Sequence, residues 1–245
     1  MGSLVAVGVP TIQGVMVWRT ARPSVPGPHP QDGLLGIGST TGEPVPLVWL
    51  GDSLASGVGA ETPDASFPRR AAAMCCAAEG RSIHLTCLAR PGARAADVLG
   101  DQVPVAVQAL GPGSIAVVTV GSNDIGSLNH PRRFRRDYSA ILDSLSQTGA
   151  TVVAVGLPHI GSAAVMARPL RTIVGWVGRH ADREVRRLAV SHGAHYVHIA
   201  VRAPWGTKPK TYLAADKWHP NDATYQLWAD RFAALLVPVL AARPF

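Results

Sequence analysis

Cysteine is scarce in this chain: Cys75 and Cys76 stand side by side in an alanine-rich stretch, and Cys87 lies in an apolar run. Three such residues lack the spacing of a zinc site or a disulfide framework, and their apolar context reads as small core residues; a bridge from Cys75 or Cys76 to Cys87 stays open. Acidic residues are outnumbered, 16 against 23 Lys and Arg, for a formal charge of +7 carried mainly by arginine. No nucleic-acid motif accompanies that excess, so no nucleic-acid partner is expected. Internal repeats are absent. With 47% hydrophobic residues the chain has the apolar content of a globular protein, and 245 residues suit one large α/β domain.

An apolar run of spanning length is also missing. Leu4 to Trp18 is mostly apolar and is followed by Arg19 and Arg22. It falls short of the roughly 20 residues a membrane-spanning helix needs, carries Pro10 and Gly14, and lacks a basic leader and a clean cleavage site. Two readings stand: a degenerate signal-anchor, giving membrane association through the N-terminus at the cell envelope, or a strand-like extension of a cytoplasmic protein. Residues 23–46, rich in Pro and Gly, read as a linker or as an ordered coil wrapping the domain. The expected division is an extension over residues 1–45 and one domain over 46–245.

From Pro46 onward, apolar runs alternate with helical patterns. The expected strands are Leu47 to Leu50, Ile83 to Leu88, Ile115 to Val120, Thr151 to Leu157 and His195 to Ile199. The expected helices are Phe67 to Glu79, Ala95 to Leu110, Arg133 to Gln147, Leu170 to Ser191 and Asp222 to Leu240. Val- and Ile-rich strands separated by helices imply a five-stranded parallel sheet covered on both faces. Right-handed crossovers then give a three-layer α/β/α sandwich of flavodoxin type.

Three short blocks carry chemistry: Gly51-Asp52-Ser53-Leu54, Gly121-Ser122-Asn123-Asp124 and Asp216-Lys217-Trp218-His219-Pro220. Ser53 follows an apolar strand and precedes Ala55, Ser56 and Gly57, which permit a tight strand-to-helix turn that exposes a hydroxyl at the strand's carboxyl end. A serine hydroxyl needs a base, and His219, in a loop before the last helix, is the candidate. Asp216, three residues earlier, can reach the other imidazole nitrogen and fix its tautomer. The competing reading makes Asp216 and His219 simple caps of the final helix.

With Gly92 in Ala89-Arg90-Pro91-Gly92-Ala93-Arg94, the ordered Ser, Gly, Asn and His resemble the SGNH or GDSL hydrolase superfamily over residues 46–240. Four blocks spread across about 170 residues are far harder to meet by chance than one tetrapeptide. The resemblance implies a metal- and cofactor-independent serine esterase. Its catalytic residues would be Ser53, Asp216 and His219, and its oxyanion hole the N–H groups of Ser53 and Gly92 with the side-chain amide of Asn123. As the superfamily includes lipases, thioesterases, arylesterases and carbohydrate deacetylases, the fold does not choose the substrate. Without an obvious lid insertion, a short- or medium-chain acyl ester on a glycan or glycolipid is the first expectation. A thioesterase or acyltransferase on a carrier-linked chain is the alternative, and a non-catalytic binding protein on the same fold a distant one.

The other polar residues carry less. Asp52 and Asp124 suit loop bracing more than acid/base work. His159, after the fourth strand, and Trp218 are candidate pocket-lining residues, as are Trp205 and Tyr212. His192, His195 and His198 straddle a helix end, a turn and a strand, a poor arrangement for a shared metal. Arg132, Arg133, Arg135 and Arg136, and Arg179, Arg183, Arg186 and Arg187, read first as solvated helix faces.

Overall fold

The computed structural model describes residues 25–36, 43–127, 130–163, 166, 168–200 and 209–242. The Val- and Ile-rich runs form five parallel strands: β2 (Val45–Gly51), β3 (Ile83–Cys87), β4 (Ile115–Thr119), β5 (Thr151–Val155) and β6 (His195–Val197). A sixth strand, β1 (Gly33–Leu35), pairs antiparallel with β3 at one edge, giving the order β1-β3-β2-β4-β5-β6. Among the described residues the sheet therefore has six strands where sequence alone indicated five. The extra one has only three residues in a Pro- and Gly-rich stretch, and pairing with β3 rather than any pattern of its own makes it a strand.

Helices cover both faces. Helix α1 (Phe67–Glu79) begins with a proline in its first turn and ends on Gly80, whose φ of 62° closes the helix without a Cβ clash. Residues 95–109 (α2) start as an α-helix, widen to a π-turn over Val98–Gln102 and return to α at Val103–Ala109. A short helix, α3 (Ser122–Gly126), follows β4. Then come α4 (Pro131–Ser146), capped by His130 with Pro131 in its first turn, α5 (Leu170–Ser191), the short α6 (Pro209–Tyr212) and α7 (Asp222–Ala241), whose cap Asn221 accepts from Thr224 N.

Strand alternation splits the core in two. Leu47 and Trp49 of β2 and Ile115 and Val117 of β4 join α1 and α7 on one face. Val48, Leu50, Ala116 and Val118 join α2, α4 and α5 on the other. Trp49 is fully buried, stacked on Phe232 at 5.0 Å between ring centroids and edge-on to Phe67 at 4.9 Å. Its indole N–H donates to Thr119 Oγ1 at 2.9 Å, so the large ring is buried with its polar handle satisfied.

Of the expected extension, residues 25–36 lie against the domain as an ordered segment. Buried Gln31 donates to Ser56 O at 3.3 Å and accepts from Ser66 Oγ, and His29 Nε2 bonds Ala60 O at 2.7 Å. The apolar Leu4 to Trp18 run lies outside the described residues, as does Trp205. Among the described residues no helix is long and apolar enough to cross a membrane, and no three His, Cys, Asp or Glu gather into a metal-sized cluster. All three cysteines are free, so no bridge to Cys87 forms.

Candidate active site

Strand β2 delivers Ser53 to the sheet's carboxyl end. Gly51, its last residue, is sandwiched so closely that a Cβ there would lie 2.2 Å from Thr119 O. Both backbone groups of Gly51 pair with buried Gln102: its N–H donates to Oε1 at 2.8 Å, and its carbonyl accepts from Nε2 at 2.9 Å. Where β3 has already ended, the carboxamide on the π-turn stands in for a neighbouring strand. Beyond Ser53 the chain does not enter a regular helix. It coils through turns, with Ser56 N donating to Asp52 O and Val58 N to Ser53 O, and α1 begins only at Phe67. The small residues after the serine thus serve this packed coil rather than an immediate helix.

His219 arrives on a hairpin. Leu213 and Pro220 form an antiparallel bridge, and Ala214 N donates to His219 O at 2.9 Å. Inside the hairpin Lys217 takes φ 57°, a left-handed conformation uncommon for a residue with a side chain. That turn folds the Asp216 carboxylate back over its own loop. Asp216 Oδ1 accepts from Trp218 N and His219 N, each at 3.0 Å, and Oδ2 meets His219 Nδ1 at 2.6 Å. Burial pushes the Asp216 carboxyl up, but the bonds from the His219 ring and the two backbone N–H groups outweigh it and hold the group below the ordinary carboxylate value. Asp216 therefore stays ionised and can only accept, which makes His219 Nδ1 the donor in their bond.

Ser53, Asn123, His159, Trp218 and His219 line one small solvent-open cleft, walled further by Leu54, Pro158, Ile160, Leu213 and Trp228. Ser53 Oγ and His219 Nε2 both lack a hydrogen-bond partner among the described residues, and no bond joins the two. Asn123 sits on α3, just after Gly121 at φ 133°. Its Nδ2 donates to Ala93 O at 3.0 Å and approaches Asp52 Oδ2 at 3.5 Å. Gly92, at φ 83° and exposed, immediately precedes that Ala93, does not line the cleft, and has no acceptor for its N–H among the described residues.

Asp52 and Asp124 are buried beneath these residues as braces. Asp52 Oδ1 accepts from Leu54 N at 3.0 Å and Asp124 Oδ2 from Ala95 N at 3.0 Å. Burial, aided by the nearby Asp124 charge, raises the Asp52 pKa to about 7 against the lowering bond from Leu54 N. Of the residues sequence reasoning did not single out, Gln102 carries no motif, while Pro158 and Ile160 flank His159 in a loop that strand β5 already pointed at the site. Tyr212 packs against the core beside α7 instead of entering the cleft. His192 bonds Ser139 and Leu188 O, whereas His198 approaches Tyr196 and Asp182, so these histidines serve separate local contacts.

A serine after the first central strand, a carboxylate-bonded imidazole and a side-chain amide thus meet around one cleft at the carboxyl end of a parallel sheet. The sequence profile of the GDSL-like lipase/acylhydrolase family matches residues 49–227, and the chain belongs to that family. No curated protein matches the sequence. Among solved structures, the fold is similar to a lipolytic G-D-S-L protein from Veillonella parvula, with TM-score 0.62, 17% identity, and 78% of this chain and 97% of that one covered. It is also similar to a psychrotrophic esterase, EstA, from a Pseudoalteromonas species, solved with monoethylphosphonate (TM-score 0.59, 14% identity, 80% and 98% covered). A third similar structure is phospholipase A1 from Streptomyces albidoflavus (TM-score 0.50, 18% identity, 82% and 100% covered). The protein is an SGNH-type ester hydrolase.

Proposed function

We propose that the protein cleaves acyl esters through an acyl-enzyme on Ser53, with His219 as general base and acid and Asp216 as its orienting carboxylate. The observation that carries this reading is the meeting of Ser53, Asn123 and an Asp216-bonded His219 at one cleft. As substrate seats, Ser53 Oγ gives its proton to His219 Nε2 and attacks the ester carbonyl. Catalytic hydrogen bonds left open in a free enzyme commonly tighten at this step. Negative charge builds on the carbonyl oxygen, where the N–H groups of Ser53 and Gly92 serve as donors, joined by the Asn123 N–H that exchanges its long 3.5 Å contact with Asp52 Oδ2 for the oxyanion, each worth roughly 3 kcal/mol. The imidazolium, held by Asp216, protonates the leaving alcohol. His219 then deprotonates a water that attacks the acyl-enzyme, and Ser53 recovers its proton.

The substrate we infer is a short- to medium-chain acyl ester on a polar alcohol such as a glycan or glycolipid. Leu54, Ile160, Leu213 and Trp228 offer an apolar wall for the acyl chain, and the open side of the cleft admits a bulky alcohol. Hydrolysis of p-nitrophenyl esters from acetyl to palmitoyl, with Ser53→Ala beside the native protein, tests both parts. An optimum at short or medium chains that vanishes in the folded variant supports them, and retained turnover in Ser53→Ala removes Ser53 as nucleophile. Adding a sugar or alcohol acceptor separates hydrolysis from transfer to a second substrate.

A further inference from the structure

The outward face of α5 pairs exposed apolar side chains with uncompensated cations. Ile173 is 48% and Trp176 59% exposed, and the Trp176 ring stacks on His180 with centroids 5.2 Å apart. The helix carries five arginines, Arg171, Arg179, Arg183, Arg186 and Arg187, against two acids, Asp182 and Glu184. Both acids are already engaged. Asp182 Oδ1 accepts from Leu157 N at 2.8 Å and Tyr196 OH at 2.7 Å. Glu184 is gripped by Arg187 of the same helix and by Arg135 of α4. That shared carboxylate brings the two arginine clusters of the sequence onto one surface. Arg132, Arg133, Arg179, Arg183 and Arg186 have no carboxylate partner among the described residues.

We propose that this face seats the enzyme on an anionic lipid surface, with Trp176 and Ile173 entering the headgroup layer and the unpaired arginines meeting lipid phosphates. An exposed indole and an aliphatic side chain set among cations on one helical face match the chemistry of an interface that is apolar within and anionic without.

Position relative to the cleft gives the surface a purpose, and here the proposal rests on the cleft being the ester site. Helix α5 packs on the turn Ile160–Ser162 so tightly that a Cβ on Gly161 would lie 2.6 Å from Gly175 Cα. Ile160 and Ala163 line the cleft and pack with Val174 of α5 and with Trp218. Arg179 Nη1 lies 3.5 Å from Nε2 of cleft-lining His159. A lipid surface against α5 is therefore separated from the cleft only by the turn that walls it, close enough for the enzyme to draw an acyl ester from that surface.

The test is sedimentation with vesicles of phosphatidylcholine alone or mixed with phosphatidylglycerol, using Ser53→Ala protein so that lipids stay intact. The same is done with Trp176→Ala/Arg183→Gln/Arg186→Gln added. The proposal expects binding to the mixed vesicles only, weakened by added salt, and a loss on the order of thirtyfold in the added variant. With Ser53 restored, that variant should hydrolyse a soluble p-nitrophenyl ester at the native rate. No binding to anionic vesicles, equal binding to pure phosphatidylcholine, undiminished binding by the variant, or capture of this face only by a soluble acidic acyl carrier protein would each overturn it. Vesicle binding is read without turnover, so failure of the Ser53 mechanism would show separately, as soluble-ester hydrolysis surviving Ser53→Ala.

Discussion

Gln102 and Gly51 exchange two hydrogen bonds, at 2.8 and 2.9 Å, so that a side-chain amide completes the sheet one step ahead of Asp52 and Ser53. Gly51 O also accepts from Arg90 N at 3.1 Å, but Gly51 N–H has no second acceptor. Replacing Gln102 by Leu strands that buried donor, at a cost of about 2 kcal/mol. Urea unfolding should register the loss, and ester turnover should fall through kcat more than KM because the support of Ser53 loosens. Gln102→Glu, which keeps the acceptor, should lie between Leu and native.

Asp216→Asn tests the imidazole's orientation. An asparagine can present its amide nitrogen to His219 Nδ1 and so favour the opposite tautomer, with Nε2 protonated and unable to accept from Ser53. Turnover should drop by about three to four orders of magnitude while the fold persists. A drop of only a few-fold in pre-steady-state kinetics would mean that the loop, rather than the carboxylate, sets the ring.

The two buried acids give opposite pH signatures. Asp216 titrates below its ordinary value, so its stabilising contribution is present above that value and is lost only as pH falls through the lowered one. Asp52 titrates at about 7 instead of 3.8. The folded state holds its proton while the unfolded chain has released it, so stability declines as pH rises from about 4 to 7, by about 4 kcal/mol in total, and is flat above. Asp52→Asn should flatten that slope in denaturation curves across the window. An unchanged slope would place the titration elsewhere.

Gly59 is the contact point between the nucleophile coil and the histidine hairpin. At φ 95°, a Cβ there would meet Pro220 O at 2.2 Å and His219 Cβ at 3.2 Å. Gly59→Ala should therefore destabilise the protein by about 2 kcal/mol or more and displace His219. The measurement is turnover against the fraction folded, and activity falling further than the folded fraction marks the displaced ring.

Runs such as Ile115 to Val120 declared buried strands because no charged residue interrupts them and β-branched side chains dominate, and Phe67 and Glu79 bound α1 as expected because Pro68 and Gly80 punctuate it. The site residues were legible as residue types in order, and Ser53, Asn123 and His219 reach one cleft, their roles being our proposal. Gly92 was legible as a turn, and its exposed N–H beside Ala93 remains part of our proposal. The π-turn at Val98–Gln102 was not legible, since one wider turn barely disturbs a helical period over a short segment. Nor was the convergence of Arg135 and Arg187 on Glu184, because contact between α4 and α5 depends on crossovers that no local pattern encodes.

Strand β1 has only three residues and takes its hydrogen bonds from β3. Without it, β3 would offer Ile83 to Cys87 as a bare parallel-sheet margin, with apolar Ile83 and Leu85 alternating with outward His84. Such margins recruit strands from other molecules, and an antiparallel stub too short to template further pairing ends the sheet there. Strand β1 is therefore expected to act as a stopper against self-association. Cutting the chain between Leu35 and Val45 should leave the sequence blocks of the hydrolase intact yet yield a protein that aggregates as its concentration rises.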